Sequence, residues 1–169
     1  MYKQWYSHFL KNHPGVQHFA CHSHHYWPDI TREAHLQYWE DSAKYVDDKW
    51  GHFFSEIIPQ AQKLVADILQ LSKPERITWA PNTHELVFRV LSSLFSAQKK
   101  IKVLTTDSEF HSFNRQIHRL QEAGFVECTF IPQLPIETFP ERFLKVALST
   151  SFDFVFFSHV FFNSGLVAD

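Results

Sequence analysis

Residues Ile77 to Thr106, ITWAPNTHELVFRVLSSLFSAQKKIKVLTT, constrain this chain more than any other stretch. They read as strand, helix, strand. Ile77 to Ala80 is a short β-prone run. Asn82 is placed to cap the helix that follows, and Glu85, three residues on, occupies the acid position of a capping box. Leu86, Val87, Val90, Leu91 and Leu94 then recur at helical spacing as one apolar face. Ile101 to Thr106 is a second apolar strand, with Lys99, Lys100 and Lys102 around its start. A helix of this length is the usual crossover between neighbouring parallel strands. In open α/β sheets the ligand sits where strands end and helices begin, which here means Pro81-Asn82-Thr83-His84. The first N–H groups of a helix lack intrahelical partners and carry the positive end of its dipole, so this turn suits an anion.

On either side the pattern predicts more of the same class. Asp29 or Thr31 caps a helix running to about Trp50, with Trp39, Ala43, Val46 and Trp50 on one face. Gly51 separates it from a second helix carrying Ile57, Ala61, Leu64, Val65, Ile68 and Leu71. Downstream, a helix with Phe113, Ile117 and Leu120 stops at Gly124. Val126, Cys128 and Phe130 alternate as a strand. Pro140 opens another helix, and Asp153 to Phe162 reads as a near-continuously apolar strand of the kind a two-sided sheet buries. The expected order is two leading helices followed by β-α-β-α-β-α-β, an α/β fold with a parallel sheet.

At 169 residues the chain fits one domain, or one with an appended segment. Apolar residues at 44% supply a core, and 18 Phe against 4 Gly means large rings and few tight turns. A formal charge of −2 with no basic block gives no electrostatic case for nucleic acid or an anionic membrane. No run is apolar enough to span a bilayer, and the N-terminus has no signal core. Cys21 and Cys128 lie far apart, which suits a reducing compartment. The expectation is a cytoplasmic protein. Neither G-x-G-x-x-G nor a P-loop occurs, which weighs against nucleotides, and there is no G-x-S-x-G elbow.

Several segments together carry a family likeness: Phe19 to Pro28 (FACHSHHYWP), Trp50-Gly51-His52-Phe53-Phe54, Pro81-Asn82-Thr83-His84-Glu85, Glu109-Phe110-His111-Ser112, and Ser158 to Gly165 (SHVFFNSG). In this order they resemble the N-terminal part of class V aminotransferases, fold type I enzymes dependent on pyridoxal 5'-phosphate (PLP), and among them the kynureninase-like members. The resemblance implies a partial parallel-sheet large domain over residues 51–169, preceded by an N-terminal segment and first long helix over 1–50. It implies phosphate binding by Asn82, Thr83 and His84, Phe110 stacked on the cofactor ring, and Ser164 at the cofactor. It places His22, Ser23 and His24 in a loop reaching toward an amino-acid substrate, in a homodimer. The family's Schiff-base lysine and the carboxylate on its pyridine nitrogen follow the stretch that ends at Asp169, so the chain alone is expected to be inactive.

A second reading uses Cys21, His22, His24 and His25 as a metal-binding or interaction module, since short Cys/His tracts can hold zinc. Adjacent His24 and His25 point opposite ways on an extended chain, and no second ligand pair is evident. His35, His52, His118 and His159 read as structural. Asp107 and Glu109 read as solvated loop acids.

Overall fold

The computed structural model describes residues 2–19, 24–96 and 98–168. The chain forms two compact units, Met1–Trp79 and Ala80–Asp169.

In the first unit a 3₁₀ turn, Tyr2–Tyr6, leads into α1 (Ser7–Asn12), and α2 (Asp29–Tyr45) follows Pro28. Asp29, expected to cap α2, instead caps the start of α1. Its carboxylate accepts from the Ser7 hydroxyl at 2.6 Å, Ser7 N at 2.9 Å and His8 N at 3.2 Å. The Ser7 hydroxyl is the largest cause holding this carboxyl below its ordinary range. The expected helix to Trp50 stops earlier, at Val46, whose φ of 49° strains a β-branched residue. Gly51 does not separate two helices. It lies inside α3 (Lys49–His52), which runs through a π turn, Phe53–Ile57, into α4 (Ile58–Leu69). Gln70 closes α4 at φ 55°, and Leu71 N reaches back to Ala66 O at 2.9 Å, a turn usually made by glycine.

The apolar stripe of α4 forms as patterned yet stays open, with Leu64 65% and Ile68 78% exposed. Among the described residues of this unit only Ala66 is buried. Ile77 to Ala80 is not a strand. Ile77 is extended, and its carbonyl takes Gln62 Nε2 at 2.7 Å in place of a ladder partner.

The second unit begins with α5 (Thr83–Ser93) and continues as β1 (Ile101–Thr106), α6 (His111–Glu122), β2 (Val126–Ile131), α7 (Phe139–Ser149) and β3 (Phe154–Val155). The three strands form a parallel sheet in the order β2-β1-β3. The architecture is mixed α/β with a small parallel sheet, one strand fewer than the sequence pattern predicts.

Alternation along the central strand β1 fixes which helices cover which face. Ile101 and Val103 pack with Val87 and Leu91 of α5, Phe113 and Ile117 of α6, and Val126. Leu104, on the opposite face, packs with Ile131, Phe139 of α7 and Phe161. Gly124 ends α6 as expected, at φ 82°, with Phe125 N bonded to Leu120 O at 3.0 Å. Cys128 carries a free thiol whose pKa burial pushes up to about 12, so it stays protonated near neutrality.

The expected strand from Asp153 to Phe162 is mostly something else. Only Phe154 and Val155 pair with β1. Beyond Ser158 the chain leaves the sheet and folds back, pairing Val160 with Val167 and burying Phe161 beneath α7. The start of β3 is fixed by Asp153, which accepts from Lys102 N at 2.9 Å and Lys99 Nζ at 2.7 Å. The Lys102 amide, then Lys99, holds this carboxyl below its ordinary 3.8. A depressed folded pKa adds stability above the unfolded value that disappears as pH falls through the folded one. Asp153→Asn should therefore lower stability near neutrality, by an amount that shrinks as falling pH protonates the carboxylate in the folded chain. Chemical denaturation at neutral and acidic pH checks it, and a pH-independent effect would contradict it.

Candidate functional site

In the strand order β2-β1-β3 the chain leaves β1 toward one side and returns from β2 to the other. In open α/β sheets such a reversal marks the place where ligands are held, here the carboxyl ends of β1 and β3. The residues there are Thr106 to Phe110 after β1 and Ser158 after β3.

Glu109 organises this edge. It is only 2% exposed. Its Oε1 accepts from the Thr106 hydroxyl at 2.7 Å and Ser158 N at 3.2 Å, and its Oε2 accepts from the Ser158 hydroxyl at 2.6 Å. Burying a carboxylate is unfavourable unless its oxygens are hydrogen-bonded, and here both are. Asp107 makes the link to β2: its Oδ1 accepts from Gln133 N at 3.0 Å and from the Ser108 hydroxyl at 2.9 Å. Buried Gln133 in turn donates to the Ser164 hydroxyl at 2.8 Å. Polar side chains thus join the exits of all three strands. The reading as a solvated acid holds for Asp107, which is exposed, and is corrected for Glu109, which is an internal tie. Its main partner, Ser158, is 49 positions away, beyond the reach of a local pattern.

Phe110 follows Glu109 directly and is the residue before α6. It is 54% exposed, outside both core clusters. Its ring meets Phe162 edge-on at 5.3 Å, and His111 meets the same ring at 5.1 Å. The fold thus leaves an aromatic ring half-exposed at the carboxyl edge of the sheet.

The start of α5 is also exposed. Asn82 caps it as expected, its Oδ1 accepting from Glu85 N at 3.0 Å. Glu85 pairs with Arg89 at 3.7 Å. The amides of Thr83 and His84 have no hydrogen-bond partner among the described residues, and both side chains face solvent. Gln116 of α6 reaches the His84 carbonyl at 3.5 Å, and His84 and Ser112 line one groove of about 430 Å³. The first turns of α5 and α6 therefore lie together. Open amides at a helix start and a half-exposed aromatic ring are the kinds of group that hold a phosphate and a flat ring, although the groove beside His84 is not lined by Phe110. None of these groups supplies a carboxylate for a ring nitrogen.

Of the expected site residues, His84 is brought beside the first turn of α6, and Phe110 stands at its head next to Phe162. Ser164 ends the polar chain through Gln133, its hydroxyl also accepting from Leu166 N at 3.3 Å. His22, Ser23 and Cys21 lie outside the described residues. The His24 carbonyl bonds to the His18 ring, and His25 Nδ1 to the Tyr26 carbonyl at 2.6 Å. No group of three or more His, Cys, Asp or Glu able to hold a metal occurs among the described residues. No helix there is long and apolar enough to cross a membrane. His118 stacks on Phe130 at 4.9 Å and His52 lies 3.3 Å from Glu56, the structural roles expected of them.

No family model, curated protein or solved structure matches the chain.

Removing Glu109 leaves buried donors without an acceptor, which costs about 1–3 kcal/mol. Glu109→Ala should destabilise the chain by that order. Glu109→Gln keeps one carbonyl oxygen for Thr106 and Ser158 N and offers an N–H to the Ser158 hydroxyl, so it should cost less than about 1 kcal/mol. Urea unfolding of both variants measures the difference. Equal and negligible effects would show that the tie carries no weight.

Proposed function

We propose that residues 80–169 provide the phosphate- and ring-binding part of a PLP site, in an enzyme of the class V aminotransferase type, kynureninase-like, acting on an amino-acid substrate. The observation that carries the proposal is Phe110, held half-exposed at the sheet's carboxyl edge by the buried glutamate next to it. The exposed start of α5 supports it from the other side. PLP, when bound, supplies an electron sink for bonds to the substrate's α-carbon.

The chain's own residues do the holding. The open amides of Thr83 and His84 donate to the phosphate at the positive end of α5, and the Thr83 hydroxyl adds a further donor. Phe110 covers one face of the ring, and Glu109 keeps the loop carrying Phe110 against β3. Ser164, tied to Gln133, stands on the far side of the same edge. The substrate-side role of His22, Ser23 and His24 rests on the resemblance alone.

Pyridoxine 5'-phosphate is the suitable probe, because it lacks the aldehyde that would react with any surface lysine. The chain should bind it at least tenfold more tightly than pyridoxine. Phe110→Ala should weaken binding by roughly 2- to 12-fold, the range expected for loss of about 0.5–1.5 kcal/mol of ring stacking. Equilibrium dialysis decides it. Equal affinity for the two compounds, together with an unaffected Phe110→Ala variant, would remove the proposal.

The homodimer belongs to the same proposal and has support of its own. Leu64 and Ile68 of α4, with Trp39, Trp50 and Phe54, are among the open apolar side chains of the first unit. Exposed apolar side chains of this size are what an association face is made of. Light scattering should return twice the chain mass at micromolar concentration, and a monodisperse monomer would count against the dimer.

A further inference from the structure

The first unit contains a cavity that the cofactor proposal does not use. Its volume is about 380 Å³, and His8, Phe9, Trp27, Thr31, Arg32 and His35 line it. The walls are flat and held in place. The rings of Trp27 and His35 lie within 3° of parallel with centroids 6.2 Å apart, and His35 Nδ1 is bonded to the Thr31 carbonyl at 2.7 Å. Phe9 is stacked on Tyr26 at 5.1 Å. Asp29 also lines the cavity, but its oxygens already take three hydrogen bonds from Ser7 and His8. Arg32 is different: its guanidinium has no hydrogen-bond or ion-pair partner among the described residues.

We propose that this cavity binds a small aromatic monocarboxylate, its ring against Trp27 and its carboxylate on Arg32. A guanidinium offers parallel donors that match the two oxygens of a carboxylate, the strongest common pairing for such a group. An aromatic ring gains from lying on the indole. Ligand pockets start at about 300 Å³, so a cavity of this size takes a single ring with one short substituent. A primary ammonium is less well served, because Asp29, the carboxylate lining the cavity, already accepts three hydrogen bonds. The site depends on residues of the first unit alone, so it stands or falls separately from the cofactor proposal.

Three probes of similar size separate the two contributions: benzoate, benzamide (the ring without the charge) and cyclohexanecarboxylate (the charge without the flat ring). The full chain is titrated with each, following the indole N–H resonance of Trp27, assigned through Trp27→Phe. Benzoate should shift that resonance saturably, and the other two should bind at least fivefold more weakly. Arg32→Gln should reduce benzoate to the benzamide level, and Arg32→Lys should retain an intermediate affinity. Arg32 is exposed, so both variants should keep the parent's circular dichroism. The proposal is overturned if the three probes bind alike, if Arg32→Gln leaves benzoate affinity unchanged, or if benzoate does not move the Trp27 resonance.

Discussion

A buried carboxylate holds the carboxyl edge of this small sheet together. Glu109 accepts hydrogen bonds from the exits of β1 and β3, so it ties the loop after β1 to the chain after β3. Its position decides two others. Phe110, the next residue, is directed out of the core, and α6 must begin immediately afterwards. An apolar residue at 109 would leave the Ser158 amide without its acceptor. A carboxyl group at that position, hydrogen-bonded on both oxygens, gives the edge a defined shape, which a ligand site requires.

That edge rests on a strand covered on both faces. β1 sends Ile101 and Val103 toward α5 and α6 and Leu104 toward α7, and most of the large side chains behind them are phenylalanine. Phe113 stacks on Phe156 at 3.8 Å, and Phe139 meets Phe161 edge-on at 5.5 Å. Rings of this size close wide gaps between a helix and a short sheet with few rotamers to freeze. The first unit uses its aromatics differently. Its rings pair with one another near the surface, as Phe9 and Tyr26 do, and its helices leave their apolar stripes open.

The features legible in the sequence were those determined within a few residues. The Asn82 cap, the α5 face, β1 and β2 with their alternation, and the glycine that ends α6 all follow from local spacing or backbone preference. Most departures from the sequence pattern are set by distant partners. Asp29 has the chemistry of a cap, but the helix start it satisfies is α1. Asp153 to Phe162 is apolar enough for a strand, yet Ser158 is drawn to Glu109, and the chain turns off the sheet there. Ile77 to Ala80 has strand composition without a neighbouring strand to pair with. Val46 breaks a helix that glycine was expected to break, and local propensity favours no such break. Of the site, the start of α5 could be read directly, and Phe110 was named through the resemblance. The Glu109 tie and the Asp107–Gln133–Ser164 chain could not, because each joins residues far apart in sequence.

The most direct test of the central claim is a crystal structure of the chain soaked with pyridoxine 5'-phosphate. The account predicts the phosphate on the Thr83 and His84 amides with the ring over Phe110 and the Glu109–Ser158 contacts intact. A ligand bound elsewhere on the chain, or a Phe110 ring turned into the core with α5 left bare, would contradict it.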